Sequence, residues 1–404
     1  MGNVLLLTAF EVIALEKQNR WLTILVRIVS YVVVAALASC ITFFICFIGN
    51  VKNQTKLEQL QRLISTYFIG DVDMTAVEDA AADAMVNALG DRWSYYIPAS
   101  EYAAHMEQMN NAYVGIGVSV TMLEDGSGIK VEQLEPGGPA LEAGIMPQDI
   151  IVEVEGKLIS DIGTDAAVQM IRGEEGTQVT VGVFRGEEKL TFSITRKTIQ
   201  TVVATGQMLE GNIGLVTIAN FDSRCASETI ARIEELISQG ATALIFDVRN
   251  NPGGYKDELV ELLDYLLPEG DLFRSESYNG KQTVDTSDAK CLEMPMAVLV
   301  NGNSYSAAEF FAAALEEYDW ATVVGEQTSG KGYFQNTFQL NDGSAVGLSV
   351  GKYYTPNGVS LAEVGGLKPS VNVPVDEETA IMIYAGLLGP EEDPQVQAAI
   401  EALK

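Results

Sequence analysis

The period of apolar and polar positions changes three times along the chain. Residues 28–49, IVSYVVVAALASCITFFICFIG, are apolar and uncharged. At about 1.5 Å per helical residue the run spans a bilayer core of about 30 Å, which predicts one transmembrane helix; a buried globular helix is the alternative. Apolar residues then recur at helical spacing, with Leu57, Leu60, Leu63 and Ile64 on one face. The stretch TAVEDAAADAMVNALG repeats this pattern, with Thr75 as cap and Gly90 as stop. Both stripes are read as packing faces. From Tyr113 the period shortens to two: YVGIGVSV and GIKVEQL read as strands, Ala140 to Ala143 as a short helix, DAAVQMIRG as a helix ending at Gly173, and TQVTVGVFRGEEKLTFSITR as two strands about a turn. From Gly211 buried strands alternate with amphipathic helices, which predicts a mainly parallel α/β sheet with flanking helices. Such sheets hold their sites in loops after the carboxyl ends of strands. RNNPGG and NGNSYS both fall in such loops.

Charge narrows the function classes. A formal net charge of −30 offers no basic patch for phosphates, so nucleic acid is not an expected partner. Four scattered cysteines and one histidine make no zinc pattern, and neither a metal nor a cofactor is expected. A Cys225–Cys291 disulfide stays open. Lys17, Arg20 and Arg27 precede the apolar run and Lys52, Lys56 and Arg62 follow it, so the charge bias is weak. Orientation rests instead on the large region that follows, which reads as translocated. LASC, residues 37–40, resembles a lipoprotein cleavage box, but the apolar run continues past Cys40, which favours an uncleaved anchor over a signal peptide.

The chemistry centres on NSYSAAEFF, residues 303–311, where a serine enters a helix. A serine nucleophile needs a proton acceptor. His105 lies in a helical stripe far upstream and reads as a packing or surface residue, so a Ser-His-Asp triad is not the expected arrangement. Lys331, in TSGKGYFQ, has no acidic neighbour between Glu326 and Asp342. An uncharged setting is what a neutral lysine base requires; a solvated loop lysine is the plainer reading of that stretch alone.

The order VLVNGNSYSAAEFFAAALEEYDWATVVGEQTSGKGYFQ resembles the serine peptidases known as C-terminal, or tail-specific, processing proteases, and the resemblance extends over residues 56–404. It implies Ser306 as nucleophile, Lys331 as general base and Gln335 as a third catalytic residue. Four residues of extended strand span about 13 Å, so Gln335 meets Lys331 only if the chain bends or the lysine reaches back. The oxyanion donors expected are the N–H of Ala307 at the helix start and that of Gly253 or Gly254, since Pro252 has none. Ser304 is left as the helix cap. Tyr305 stands where the family usually has a small residue, and Ala308 replaces a frequent serine. Asp91 to Ser94, DRWS against the family's usual DPYS, is assigned to packing.

The stretch GGPALEAGIMPQDIIVEVEGKLI resembles the centre of a PDZ domain, and Tyr113, Val114, Gly115, Ile116, Gly117 and Val118 stand at its carboxylate-binding loop. Backbone N–H groups there hold a terminal carboxylate while the neighbouring strand edge pairs with the peptide. The resemblance implies an α/β protease core with an inserted PDZ-like β-rich domain, preceded by one transmembrane helix. The expected divisions are a cytoplasmic segment 1–27, an anchor 28–49, a helical region 50–110, the PDZ-like domain 111–197, and a peptidase core 198–404 with a helical tail. It further implies a single-pass bacterial membrane protein whose catalytic domain lies outside the cytoplasm. Its partners would be protein or peptide substrates with an apolar carboxyl terminus, and a homodimer is one possible assembly. Arg172 is a candidate for a contact between the PDZ-like domain and the core; a solvated turn arginine is the alternative. A PDZ scaffold without activity and a hydrolase of another bond, such as an ester, are the rival readings.

Overall fold

The computed structural model describes residues 20–21, 23–43 and 54–404. Residues 1–19 and 22 of the expected cytoplasmic segment, residues 44–49 of the expected anchor and residues 50–53 of the expected helical region lie outside them. Two compact units divide at Ala81 and Ala82, within the helix Met74–Asn87.

In the first unit the helix Thr23–Phe43 has a mean hydropathy of 2.4 and none of its apolar window is buried. By length and composition it can cross a membrane, as a signal sequence also can. The helix Lys56–Tyr67 opens with a capping box, in which the Thr55 N–H donates to Glu58 and the Glu58 N–H donates back to the Thr55 hydroxyl. Its apolar stripe is not a packing face here: Leu57, Leu60 and Leu63 are exposed, and no residue of this helix is buried. The next helix is capped by Asp73, which accepts from the N–H groups of Thr75 and Ala76, rather than by Thr75. An aspartate one position before the first turn aims its oxygens at exactly those orphan donors, which Thr75 inside the turn cannot do.

The second unit holds three main sheets. A six-stranded sheet runs in the order Ala204–Leu209, Ile213–Ile218, Ala243–Asp247, Met296–Val300, Ala321–Gly325, Val371–Asn372. All of its pairings are parallel except the first. Helices Cys225–Ser238, Lys256–Leu266 and Ala307–Glu317 supply the large core on one face, and Pro394–Ala402 packs on the other. Helix Ala307–Glu317 is buried from Ala307 through Leu315. Its alanines let neighbouring elements approach, while Phe310 and Phe311 make edge and tilted contacts with Phe273, Phe221 and Phe246.

A five-stranded antiparallel sheet was not expected from the sequence. Tyr95–Ile97, Ala345–Tyr354, Gly270–Ser277 and Gln282–Ser287 are neighbours in that order, and Tyr333–Gln339 also pairs with Ala345–Tyr354. Its strands come from three distant stretches, so local periodicity gave no sign of their pairing.

The inserted module is a six-stranded sheet, with Val118–Met122 at one edge, then Ile129–Leu134, Ile150–Val154, Gln178–Arg185 and Glu188–Thr195, plus the short Lys157–Leu158 beside Ile150–Val154. Alternate residues Val179, Val181 and Val183 are fully buried, which is the period-two pattern made physical. Strands Ala112–Gly115 and Lys197–Gln200 pair antiparallel, so the chain entering the module is bonded to the chain leaving it. Cys225 is buried and Cys291 partly buried, both as free thiols.

Candidate active site

Parallel pairing of Ala243–Asp247 with Met296–Val300 brings the loops after both strands together. Side chains stitch them. The Asn250 N–H donates to Asn301 Oδ1 and the Asn301 amide donates to Asn250 Oδ1, each at 3.0 Å. The Ser304 hydroxyl donates to the Val248 carbonyl at 2.7 Å and accepts from the Asn301 N–H at 3.1 Å. Ser304 therefore ties the two loops and is not the helix cap. The cap position belongs to Ser306, which immediately precedes the helix Ala307–Glu317.

Ser306 has φ 58° and ψ −127°, a backbone conformation that costs a non-glycine residue on the order of 1–3 kcal/mol. A serine on such a strained strand-to-helix turn is the geometry of a nucleophile elbow. Glu309, one turn on and fully buried, holds it. Glu309 Oε2 accepts from the N–H groups of Ser306 and Lys331, both at 2.9 Å. Its Oε1 accepts from the Thr328 hydroxyl at 2.5 Å and the Gly330 N–H at 2.7 Å. One carboxylate thus joins the serine's turn to the lysine's loop. Burial raises its pKa, and the four donors oppose that rise. In the sequence Glu309 stands out only as an acidic residue in an apolar helix.

Ser306, Lys331 and Gln335 line one cavity of about 680 Å³. Burial is the largest influence on the Lys331 ammonium and lowers its pKa to about 8, against the upward pull of Glu309 and Asp91 and with a further downward push from Arg92. No carboxylate adjoins Lys331 in sequence, yet folding brings two near. The Asp91–Ser94 stretch does more than pack. The Trp93 ring centroid lies 4.8 Å from Lys331 Nζ and the Tyr305 ring centroid 6.0 Å. Trp93 and Tyr305 face each other at 5.7 Å. Arg92 donates to the Ser329 hydroxyl, Ser94 donates to Asp91, and the Ser349 N–H donates to Ser94. The tetrapeptide acts across the fold because Tyr95–Ile97 pairs with Ala345–Tyr354.

Gln335 follows a register shift between Phe334 and Gln335, so the strand bends there. Its amide donates to the Ser349 hydroxyl at 2.9 Å and the Tyr333 carbonyl at 3.2 Å. His105 lines the same cavity, its pKa lowered by burial, with the Tyr95 ring 5.9 Å away. Among the described residues no carboxylate bonds to it, so nothing orients it as a triad histidine. Among the described residues no three His, Cys, Asp or Glu side chains converge as a metal site requires.

Gly253 and Gly254 run beside the serine. The Gly253 N–H donates to Asn251 Oδ1 at 2.8 Å and is occupied. The flanking bonds, Phe221 N–H to the Gly253 carbonyl and Tyr255 N–H to the Phe221 carbonyl, leave the Gly254 N–H without an acceptor among the described residues. The Ala307 N–H, in the first helical turn, is likewise open. A Cβ on Gly253 would stand 2.7 Å from Ser306 Cβ. On Gly254, at φ 154°, it would stand 2.2 Å from the Phe221 carbonyl carbon. Gly254→Ala is therefore expected to push the loop off Phe221, lower the melting temperature and slow any reaction at Ser306 by about a hundredfold or more. Thermal unfolding and turnover measured together check this, and a fully active alanine variant would contradict it.

In the inserted module, Tyr113, Val114 and Gly115 belong to the tethering strand Ala112–Gly115, Ile116 is buried, and Val118 begins the exposed edge strand. The N–H groups of Ile116 and Gly117 have no acceptor among the described residues, whereas that of Val114 donates to Glu107 Oε1 at 3.2 Å. Glu107 also pairs with Arg172 at 3.3 Å, and the guanidinium lies 5.4 Å from the Tyr113 ring. Arg172 thus contacts the helix Ala99–Met109, whose residues Tyr102, His105, Met106 and Met109 line the cavity.

The pattern of peptidase family S41 matches residues 212–373, and that of the PDZ domain residues 114–195. The chain is 32% identical over 325 residues to a probable CtpA-like serine protease of Staphylococcus aureus (strain N315), covering 80% of this chain and 65% of the relative. It is 32% identical over 352 residues to the carboxy-terminal processing protease CtpA of Bacillus subtilis (strain 168), covering 84% of this chain and 75% of the relative. Among solved structures, a photosystem II D1 C-terminal processing protease is similar with a TM-score of 0.47 and 27% identity, over 85% of this chain and 93% of that one. The chain thus spans 65% of the length of the Staphylococcus aureus relative and three quarters of the Bacillus subtilis one.

Proposed function

Because the chain belongs to peptidase family S41 and carries a PDZ domain, we propose that it is a membrane-anchored serine endopeptidase acting on proteins with an apolar carboxyl-terminal tail. The observation that carries this reading is a serine on a strained strand-to-helix turn sharing one cavity with a lysine whose pKa burial lowers to about 8. Neutral Lys331 takes the Ser306 hydroxyl proton as Oγ attacks the peptide carbonyl. The N–H groups of Gly254 and Ala307 receive the oxyanion, and the dipole of helix Ala307–Glu317 adds positive potential there. Lys331 then hands the proton to the leaving amine, and water resolves the acyl-enzyme with the same lysine as base. Gln335 steadies the wall beside Lys331 through its bond to Ser349.

Tail recognition rests on the exposed edge strand Val118–Met122 and the open N–H groups of Ile116 and Gly117, the features that strand addition and carboxylate capture use. Arg172 and Glu107 would pass that binding to the cavity helix. Helix Thr23–Phe43 fits an anchor that leaves the chain following it outside the cytoplasm.

The full-length chain in detergent should react with a fluorophosphonate at Ser306 and cut an unstructured protein that ends in an apolar tail. Amidating the tail's carboxylate should slow that cleavage. Labelling without peptide cleavage would favour the ester-hydrolase reading, and tail binding with neither would favour the scaffold.

A further inference from the structure

Asp222 carries the strongest unmet demand in the cavity wall. It follows Phe221, whose backbone brackets Gly254, and its own N–H is fixed by Asn220 Oδ1 at 3.0 Å. The residue is 94% buried, on a relative exposure of 6%, and its Oδ1 has no hydrogen-bond partner. No ion pair reaches it among the described residues. The basic residue nearest in sequence, Arg224, is turned away to Glu228 and to the carbonyls of Asn111 and Thr201. The nearby Glu258 is of like charge and already accepts from the N–H groups of Arg224 and Ala226. Burial and Glu258 together push the Asp222 pKa up to about 7. A buried carboxylate beside a second carboxylate calls for a cation with hydrogen-bond donors.

We propose that Asp222 is a specificity-determining group of the cavity, receiving the ammonium or guanidinium of a lysine or arginine beside the scissile bond of the substrate. This inference rests on the protease reading above. The remaining wall suits a long aliphatic stem: Tyr102, Met106 and Met109 recur at helical spacing on Ala99–Met109, and Tyr255, next after Gly254, lines the same cavity. Burial lowers the His105 pKa, which disfavours a repelling imidazolium beside the site. The apolar tail that docks on the PDZ edge and the basic residue at the cut are separate requirements on one substrate.

The test uses peptides of one sequence with an apolar tail, in which lysine, arginine or norleucine is placed at each of four positions on either side of the cleaved bond. The full-length chain in detergent cuts them, and kcat/KM is compared within each set. At one position lysine and arginine should exceed norleucine by about tenfold or more, the worth of a charge-assisted hydrogen bond. In wild type that ratio should grow as pH rises through about 7, where Asp222 ionises. As a base Lys331 acts on both peptides of a pair, and that role cancels in the ratio; its charge bears on the cationic peptide alone, and its loss lifts the ratio near pH 8, above the Asp222 step. Tyr255, raised above its ordinary value by burial, adds no charge in this range, and Glu258 stands as the like charge beside Asp222. In Asp222→Asn the ratio should fall close to one, whereas a merely structural role would slow both peptides and leave the ratio unchanged. A wild-type ratio near one at every position, or one retained in Asp222→Asn, overturns the proposal. The wild-type ratio at each position stands whether or not the variant folds. Norleucine peptides cut without a lysine preference would sink the subsite alone; no cleavage of either set would sink the protease reading with it.

Discussion

Ser306→Ala and Lys331→Ala are each expected to lower turnover of a tail-bearing protein by about three orders of magnitude or more, and the double variant by little beyond either one. Groups that act as a unit in one proton transfer are lost together, so their effects do not add. The wild-type profile carries the sharper test. With a lysine pKa of about 8, only about a tenth of the base is neutral at pH 7 and about nine-tenths at pH 9, so the rate should climb roughly tenfold across that interval. The sign follows from the group: deprotonation creates the base, so activity rises with pH. His105 shares the cavity and is the rival acceptor, but burial holds its pKa below the ordinary 6.5. A histidine base would titrate below the ordinary 6.5, well before the lysine step near pH 8. His105→Ala should therefore keep the rise near pH 8. A profile already flat above pH 7, or a Lys331→Ala chain that retains turnover, would sink the lysine mechanism.

The contrast between Lys331 and its surroundings marks what the sequence could tell. Strand, turn and helix around Ser306 are local, and their apolar patterning shows through in the chain from Met296 to Glu317. The inserted module was legible for the same reason, since its strands alternate and follow one another closely. The lysine's environment was not local. Trp93, Asp91 and Arg92 reach it only because Tyr95–Ile97 pairs with a strand some 250 residues later, and no window of sequence carries that pairing. Asp222 was invisible for a related reason. One acidic residue among 55 gains meaning only when folding leaves its carboxyl without a partner. Ser304 misled because a serine near a helix start reads as a cap, while tertiary bonds to Val248 and Asn301 claimed its hydroxyl first.

Glu309→Gln, an isosteric change nowhere in contact with a peptide carbonyl in the mechanism above, should nevertheless lower kcat by about a hundredfold or more, because misplacing reacting groups by about an ångström costs that much. The reason lies in donor and acceptor counts. Each carboxylate oxygen accepts two bonds, Oε1 from Thr328 and Gly330 and Oε2 from Ser306 and Lys331. A glutamine offers one oxygen and one NH2, so whichever way it turns at least one backbone N–H meets another donor, since of the four partners only the Thr328 hydroxyl can accept as well as donate. Turned one way it frees the N–H groups of Ser306 and Lys331; turned the other it frees the lysine loop at the Gly330 N–H, while the Thr328 hydroxyl turns to accept from the amide. Either choice loosens the link between nucleophile and base. Unpairing one buried donor in the better orientation should also cost about 1–3 kcal/mol of stability. Thr328→Val removes one donor and leaves three bonds to the carboxylate, so its effect on kcat should be clearly smaller. Melting temperatures and single-turnover rates on all three chains test the ranking. A glutamine variant with wild-type kcat would mean that Ser306 keeps its strained turn without the carboxylate, and that the link to Lys331 is incidental.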